Sequence, residues 1–277
     1  MTIDILLFKA TLLVYFVATL LYLVGVITRR EQLGHGAKWT LILGFAVHCT
    51  TLGARWLATG LTPAASLYEA LSFFAWALVG TYLLFDLRYR MAALGAFVCP
   101  LALVLMIGGS AAPKQAPALN PVLDSWWFPV HVTLAFLGYA VFAVAAMAGI
   151  MYLLQERRVK AKKFSGLFYR LPSLDTLDSI NYKCLSFGFP LMTMGIISGA
   201  IWANSAWGGY WRWEPKETGA LVTWFLYAAL LHGRLTVGWR GRRAAIFAIL
   251  GFICLLFTFL GVNLLSAGQH TFRSFGG

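Results

Sequence analysis

Eight apolar runs, most of them about twenty residues long, follow one another along this chain of 277 residues. No other feature limits the fold as strongly. About twenty residues of α-helix cross the roughly 30 Å of hydrocarbon in a bilayer, where the backbone must satisfy its own hydrogen bonds. The spans are expected at about Ile5–Ile27, Trp39–Leu57, Leu67–Phe85, Met91–Gly109, Val130–Leu154, Cys184–Ala203, Ala220–Leu235 and Ala244–Leu265. The fold class is therefore all-α, a polytopic membrane protein with eight transmembrane helices, read as one integral membrane domain over residues 1–277. Gly and Pro inside several spans permit bends. The first run has no basic n-region and no small-residue cleavage pattern, so it is expected to persist as a span.

With 60% hydrophobic and 12% charged residues, the chain is not a soluble globular domain. Its net charge of +12 does not indicate nucleic acid, because the Lys and Arg fall between apolar runs instead of on one polar face. The loops after spans 1, 3, 5 and 7 carry three, two, seven and, counting Arg234 at the inner end of span 7, four of them. The other side holds only Arg55, Lys114, Arg212, Lys216 and Arg273, and Lys9 lies in span 1. The positive-inside rule then places both termini on the non-cytoplasmic side. Cys49, Cys99, Cys184 and Cys254 show neither CxxC spacing nor a CxxCH site, so a thiol oxidoreductase or a c-type cytochrome is not expected. A short amphipathic helix is expected within Lys160–Asp178 on the inner surface.

Between spans 6 and 7 the chain reads WGGYWRWEPKETG, with Trp207, Tyr210, Trp211 and Trp213 in seven residues. Aromatic rings beside mixed charge suit a large planar guest with charged edges. Trp and Tyr also anchor helices at the headgroup level, and that reading stands beside the first. Two histidines share the outer face with this stretch: His131 at the start of span 5 and His270 after span 8. A six-coordinate haem iron takes one imidazole on each side of the ring, and His131 and His270 are candidates for that pair. Arg212 and Lys216 suit the two propionates, with Arg55 assisting from a neighbouring loop. Glu214 and Glu217 are expected to orient an imidazole or pair with Lys216. A zinc site drawing on His131 and His270 with Asp124, Glu214 and Glu217 is the metal alternative, but it leaves the tryptophans without a role. His232, near the inner end of span 7, belongs to a separate site lower in the membrane. His48 in span 2 is its candidate opposite ligand, a partner subunit being the other source.

The stretch WANSAWGGYWRWEPKETGALVTWFLYAALLHGR resembles the Trp-rich signature of haem-handling membrane proteins of cytochrome c biogenesis. RWLATGLTPAASLYEALSFFAW, SWWFPVHVTLAFLGYA and GVNLLSAGQHTFRSFGG agree with it in order, and the CcsA/ResC branch of system II is the nearest pattern. The resemblance implies a chain that takes haem b, as substrate and bound ligand, from the cytoplasmic side and presents it to the CxxCH motif of apocytochrome c. It implies axial ligation by His131 and His270, an intramembrane ligand at His232 opposed by a CcsB/ResB-type partner, and residence in a bacterial inner membrane or a thylakoid. In two places the chain departs from the pattern. Glu214 stands where an Asp is usual, and GLTP lacks a histidine that many relatives place before the proline. The competing readings are a HemX-like non-catalytic partner and a small-molecule transporter, although no internal repeat is evident.

Overall fold

The computed structural model describes residues 2–28, 30–89, 91–115, 122–162 and 166–261, apart from the side chains of 167 and 168. His270 lies outside the described residues. Among the described residues, eight helices are long and apolar enough to cross a membrane, the last two when counted with the π-helical turns that continue them: α1 Ile3–Thr28, α2 Glu31–Thr59, α3 Leu67–Tyr89, α4 Ala92–Ala111, α5 Trp127–Lys160, α6 Leu174–Trp207, α7 Pro215–His232 and α8 Arg242–Leu256. Single π-helical turns extend α7 over Gly233–Val237 and α8 over Phe257–Gly261. Among the described residues there is no strand.

Several helices outrun the hydrophobic runs that announced them. α2 begins at Glu31, α5 continues to Lys160, and α6 begins ten residues before Cys184. Polar residues hold these extensions. Lys160 pairs with Glu156 one turn earlier at 2.7 Å, and the Ser173 hydroxyl accepts from the Thr176 N–H to cap α6. Within Lys160–Asp178, where an amphipathic helix is expected, the described residues form one 3₁₀ turn, Gly166–Tyr169, a non-helical stretch over 170–173 and then the start of α6 at Leu174.

The helices form two compact units. In the first, α1 to α4 pack antiparallel in a ring, α1 against α2 and α4, and α3 against α2 and α4. Its interior is polar at three levels. Arg55 is buried and donates from Nε to Glu69 at 2.7 Å, from Nη1 to Asp4 at 3.1 Å and from Nη2 to the Lys114 carbonyl at 3.1 Å. Arg55 thus lies inside α2, not in a loop, and its guanidinium is engaged by carboxylates of α1 and α3. At mid-height His48 is fully buried, with Nδ1 3.1 Å from the Tyr15 hydroxyl and Nε2 2.9 Å from Ser72 Oγ. Both ring nitrogens are occupied, so His48 is a packed hydrogen-bonding core residue with no lone pair to spare for a metal. Lys38 and Asp86 pair at 2.8 Å at the far end.

The second unit rings α5 to α8 in the same antiparallel manner. Glycines set its close approaches. A Cβ on Gly149 would stand 2.9 Å from the Ala245 carbonyl oxygen, one on Gly251 would meet the Tyr227 ring at 2.7 Å, and one on Gly219 would meet Thr258 at 2.6 Å. Without lipid-driven hydrophobic force between helices, close backbone contact of this kind is what holds membrane helices together.

Candidate functional site

One seam positions the candidate ligand. Along α6 the residues Asn181, Gly188, Met192, Gly195, Gly199 and Trp202 face Ala145, Phe142, Gly138, Ala135, His131 and Phe128 of α5. From Gly188 onward on α6, and along all of that α5 run, the spacings alternate between three and four, the repeat of knobs-into-holes packing. Near the Trp-rich end the α6 face is Gly195-x-x-x-Gly199, so α5 lies against backbone there. The His131 ring fills the groove above Gly199, where a Cβ would come within 2.7 Å of it. His131 Nδ1 donates to the Gly195 carbonyl at 2.8 Å, and the ring stacks on Trp202 with centroids 5.9 Å apart and planes at 19°. A carbonyl can only accept, so the proton sits on Nδ1 and the basic lone pair on Nε2. Metal-binding histidines are held in this way, with the non-ligating N–H given to a carbonyl or carboxylate.

Trp202 is the residue that reading from sequence passed over. It is 2% exposed, donates from Nε1 to the Val122 carbonyl at 3.0 Å, and meets Phe128 and Trp207 at 5.2 and 5.1 Å between centroids. It thereby joins His131 to the Trp-rich stretch. The signal was present in the GxxxG at 195–199, because Trp202 continues that face three residues on.

α6 closes at Trp207 with Gly208 in the left-handed region, φ 75°, and its N–H returns to the Asn204 carbonyl at 2.9 Å. The segment from Gly209 to Trp213 then crosses to α7. Glu214 caps α7 with Pro215 in its first turn, and Glu214 and Glu217 form a reciprocal capping box. Glu217 reaches further: its Oε2 accepts from the N–H of Arg212 at 2.8 Å and of Glu214 at 3.2 Å. Between those two anchored amides Trp213 adopts φ 58°, a left-handed conformation that a bulky residue enters only under constraint. Its ring is consequently turned outward, 69% exposed, and Tyr210 is 61% exposed. Trp211 packs edge-on to Trp213 at 5.8 Å, and its buried indole Nε1 has no hydrogen-bond partner among the described residues. Arg212 is exposed and donates from Nη2 to the Trp207 carbonyl at 3.2 Å, while Lys216 is half-buried in the first turn of α7.

Glu217 is therefore the clamp of the loop, and Glu214 its helix cap. Glu217→Ala is expected to cost about 1–2 kcal/mol locally and to free Trp213 from its strained conformation. Limited proteolysis between Trp207 and Thr218 should become faster, and tryptophan fluorescence should shift to the red. Glu217→Gln, whose amide oxygen still accepts from one N–H, should recover part of the protection.

The structure brings together His131, Trp207, Trp211, Trp213, Tyr210, Arg212, Glu214 and Lys216 at one end of the second unit. Arg55 belongs to the ion network of the first unit. His232 closes α7 about 25 Å along the helix from Pro215, and it is exposed on the outside of the bundle. Below it, Arg234 grips Asp178 at 2.6 and 2.9 Å and lies over the Tyr182 ring, fixing that end of α7 to α6. Among the described residues no three His, Cys, Asp or Glu side chains converge on a metal position.

Residues 64–270 match the family described as cytochrome C assembly protein. The cytochrome c biogenesis protein CcsA of Guillardia theta is 35% identical, over 95% of this chain and 94% of its own length. The chain belongs to this family. CcsA of Synechococcus elongatus is 38% identical over 81% of this chain and 83% of its own, and CcsA of Gloeobacter violaceus 33% over 98% and 96%. Among solved structures, cytochrome c haem lyase CcmF shares the fold at a TM-score of 0.70 with 18% identity, covering 94% of this chain and 47% of that one. The family member described here is a multi-pass membrane protein of CcsA type, and its role lies in cytochrome c biogenesis. Trp202, the seam beneath it and His131 all fall inside the matched segment.

Proposed function

We propose that this chain is the CcsA/ResC-like subunit of a cytochrome c synthase, working as one haem-handling domain in a bacterial inner membrane or a thylakoid. Haem b is its substrate. It boards at an inner site that uses His232, whose exposure on the bundle surface suits an opposing histidine from a CcsB/ResB-type partner. It then occupies an outer site with His131 and His270 as the axial pair, lying along Trp207, Tyr210, Trp211 and Trp213, with Arg212 and Lys216 at the propionates.

The observation that carries this reading is the state of His131. Its Nδ1–H is committed to Gly195 and its plane is set by Trp202, so the imidazole is held in one orientation and one tautomer, the arrangement in which metal-binding histidines are positioned. At the outer site each CxxCH thiol adds across one vinyl group. A carbon–sulfur bond forms as the S–H bond and the vinyl π bond break, and the proton ends on the adjacent carbon. No net oxidation or reduction accompanies the addition. The chain's contribution is orientation of vinyls against thiols, and no side chain forms a covalent intermediate.

Co-expression with an apocytochrome c and a CcsB/ResB-type protein tests the assignment. The complete set should yield haem-stained cytochrome. His232→Ala should lower haem in the purified complex by about tenfold or more, while the complex still forms. Normal maturation with His232→Ala would remove the inner site. Haem binding without any maturation in the complete set would favour a non-catalytic partner. A cysteine at Gly209 should react with an impermeant reagent from outside the cytoplasm, and labelling from the cytoplasm would invert the topology.

A further inference from the structure

The end of the first unit that carries the Lys38–Asp86 pair holds a cavity of about 1150 Å³. The last turns of α1, the first turns of α2 and α4, and the turn after Gly166 all line it. Arg30, Lys38 and Arg170 supply positive charge, and Glu31 and Asp86 negative charge. Lys38 and Asp86 neutralise each other at 2.8 Å, which leaves two guanidiniums against one carboxylate. Nε of Arg170 is buried and has no hydrogen-bond partner among the described residues. A buried donor left without an acceptor costs stability, so a site built around one is built for an acceptor that comes from elsewhere.

Two further features point to an anion. α2 and α4 both start at this cavity, through Glu31 and through Ala92 and Ala93, and neither has a side chain capping its first turn. The unpaired N–H groups of two helix N-termini therefore add to the positive field. The surroundings also fit the boundary between headgroups and acyl chains. Trp39, 68% exposed, and Tyr169, 66% exposed, flank the opening, and Val26 and Tyr22 give it an apolar wall. His35 completes the rim with Nδ1 held by the Glu31 carbonyl at 3.0 Å.

We propose that this cavity binds the phosphate headgroup of an anionic phospholipid, with Arg170 and Arg30 on the phosphate and the two helix N-termini behind it. The Gly166–Tyr169 turn is drawn from the α5–α6 connection, and its neighbour Arg170 brings the first unit a guanidinium that α1 to α4 do not supply.

The full chain, purified and delipidated in detergent, would be offered equal amounts of phosphatidylglycerol and phosphatidylcholine and weighed by native mass spectrometry. One phosphatidylglycerol per chain should be retained in preference. Arg170→Gln should weaken retention about tenfold, the scale of one lost charge-assisted bond. Arg170→Lys should restore part of it, and Arg30→Gln, a change at an exposed rim residue that the fold tolerates, should weaken it independently. Equal retention of the two lipids, or unchanged retention in Arg30→Gln, would overturn the proposal. Displacement by millimolar inorganic phosphate would reassign the cavity to a soluble anion, and displacement by haem would reassign it to the substrate. Either result ends the lipid reading.

Discussion

His131→Ala is expected to reduce cytochrome c maturation by about 100-fold or more and to convert the low-spin spectrum that the proposed two-imidazole ligation should give the haem-loaded protein into a high-spin one. Outer-shell partners of metal-bound histidines already cost 10–100-fold when removed, so an axial ligand itself should lie at or beyond the upper end of that range. The variant should still fold, because the α5–α6 seam is held at Ala135, Gly138, Phe142 and Ala145 independently of the imidazole. Free imidazole should enter the space left over Gly199 and restore the low-spin spectrum, which a merely misfolded protein would not permit. Gly199→Ala makes the complementary test. Its methyl would stand 2.7 Å from the His131 ring, so the histidine stays in the chain but is pushed from its place. A shifted spectrum is expected there with little change in thermal stability. A His131→Ala protein that keeps both its spectrum and its maturation activity would sink the outer site.

The second large effect is on stability. Arg55→Ala should lower it by about 3–5 kcal/mol, because Asp4 and Glu69 would be left buried with no cation between them. Thermal unfolding in detergent, followed by circular dichroism, reads this directly. Arg55→Lys should recover only a fraction. An ammonium carries the charge but not the fork that lets Nε, Nη1 and Nη2 serve Glu69, Asp4 and the Lys114 carbonyl together. Neutralising the acids as well, in the triple variant Arg55→Ala, Asp4→Asn, Glu69→Gln, should regain most of the loss. Glu69 retains a task there, since its Oε2 accepts from the N–H groups of Ala65 and Ser66 at the start of α3 and an amide oxygen can still do so. If Arg55 instead served haem directly, its loss would depress haem content and leave the melting temperature unchanged.

These two residues mark what the sequence offered and where it stopped. His131 could be singled out as a candidate because it opens an apolar run beside SWW. What Arg55 and His48 face was not legible in the sequence, for a common reason. A polar side chain in a membrane helix has a role defined by what faces it, and the facing groups, Asp4 and Glu69 in one case and Tyr15 and Ser72 in the other, come from other helices. Helix ends were misread because hydropathy reports where lipid is, whereas a helix continues as long as local hydrogen bonds and pairs such as Lys160–Glu156 sustain it.

Hydrophobic length dictated eight helices, since a bilayer leaves a twenty-residue apolar run no other way to satisfy its backbone. Residue chemistry along the chain was enough to mark the aromatic loop and to single out His131 as a candidate. Tertiary packing alone decided that Gly195 and Gly199 let α5 approach closely enough for a carbonyl to hold His131, that Trp202 lies under its ring, and that Glu217 bends Trp213 outward. Those outcomes depend on the register between helices and on distances of a few tenths of an ångström, and no linear order of residues carries that information.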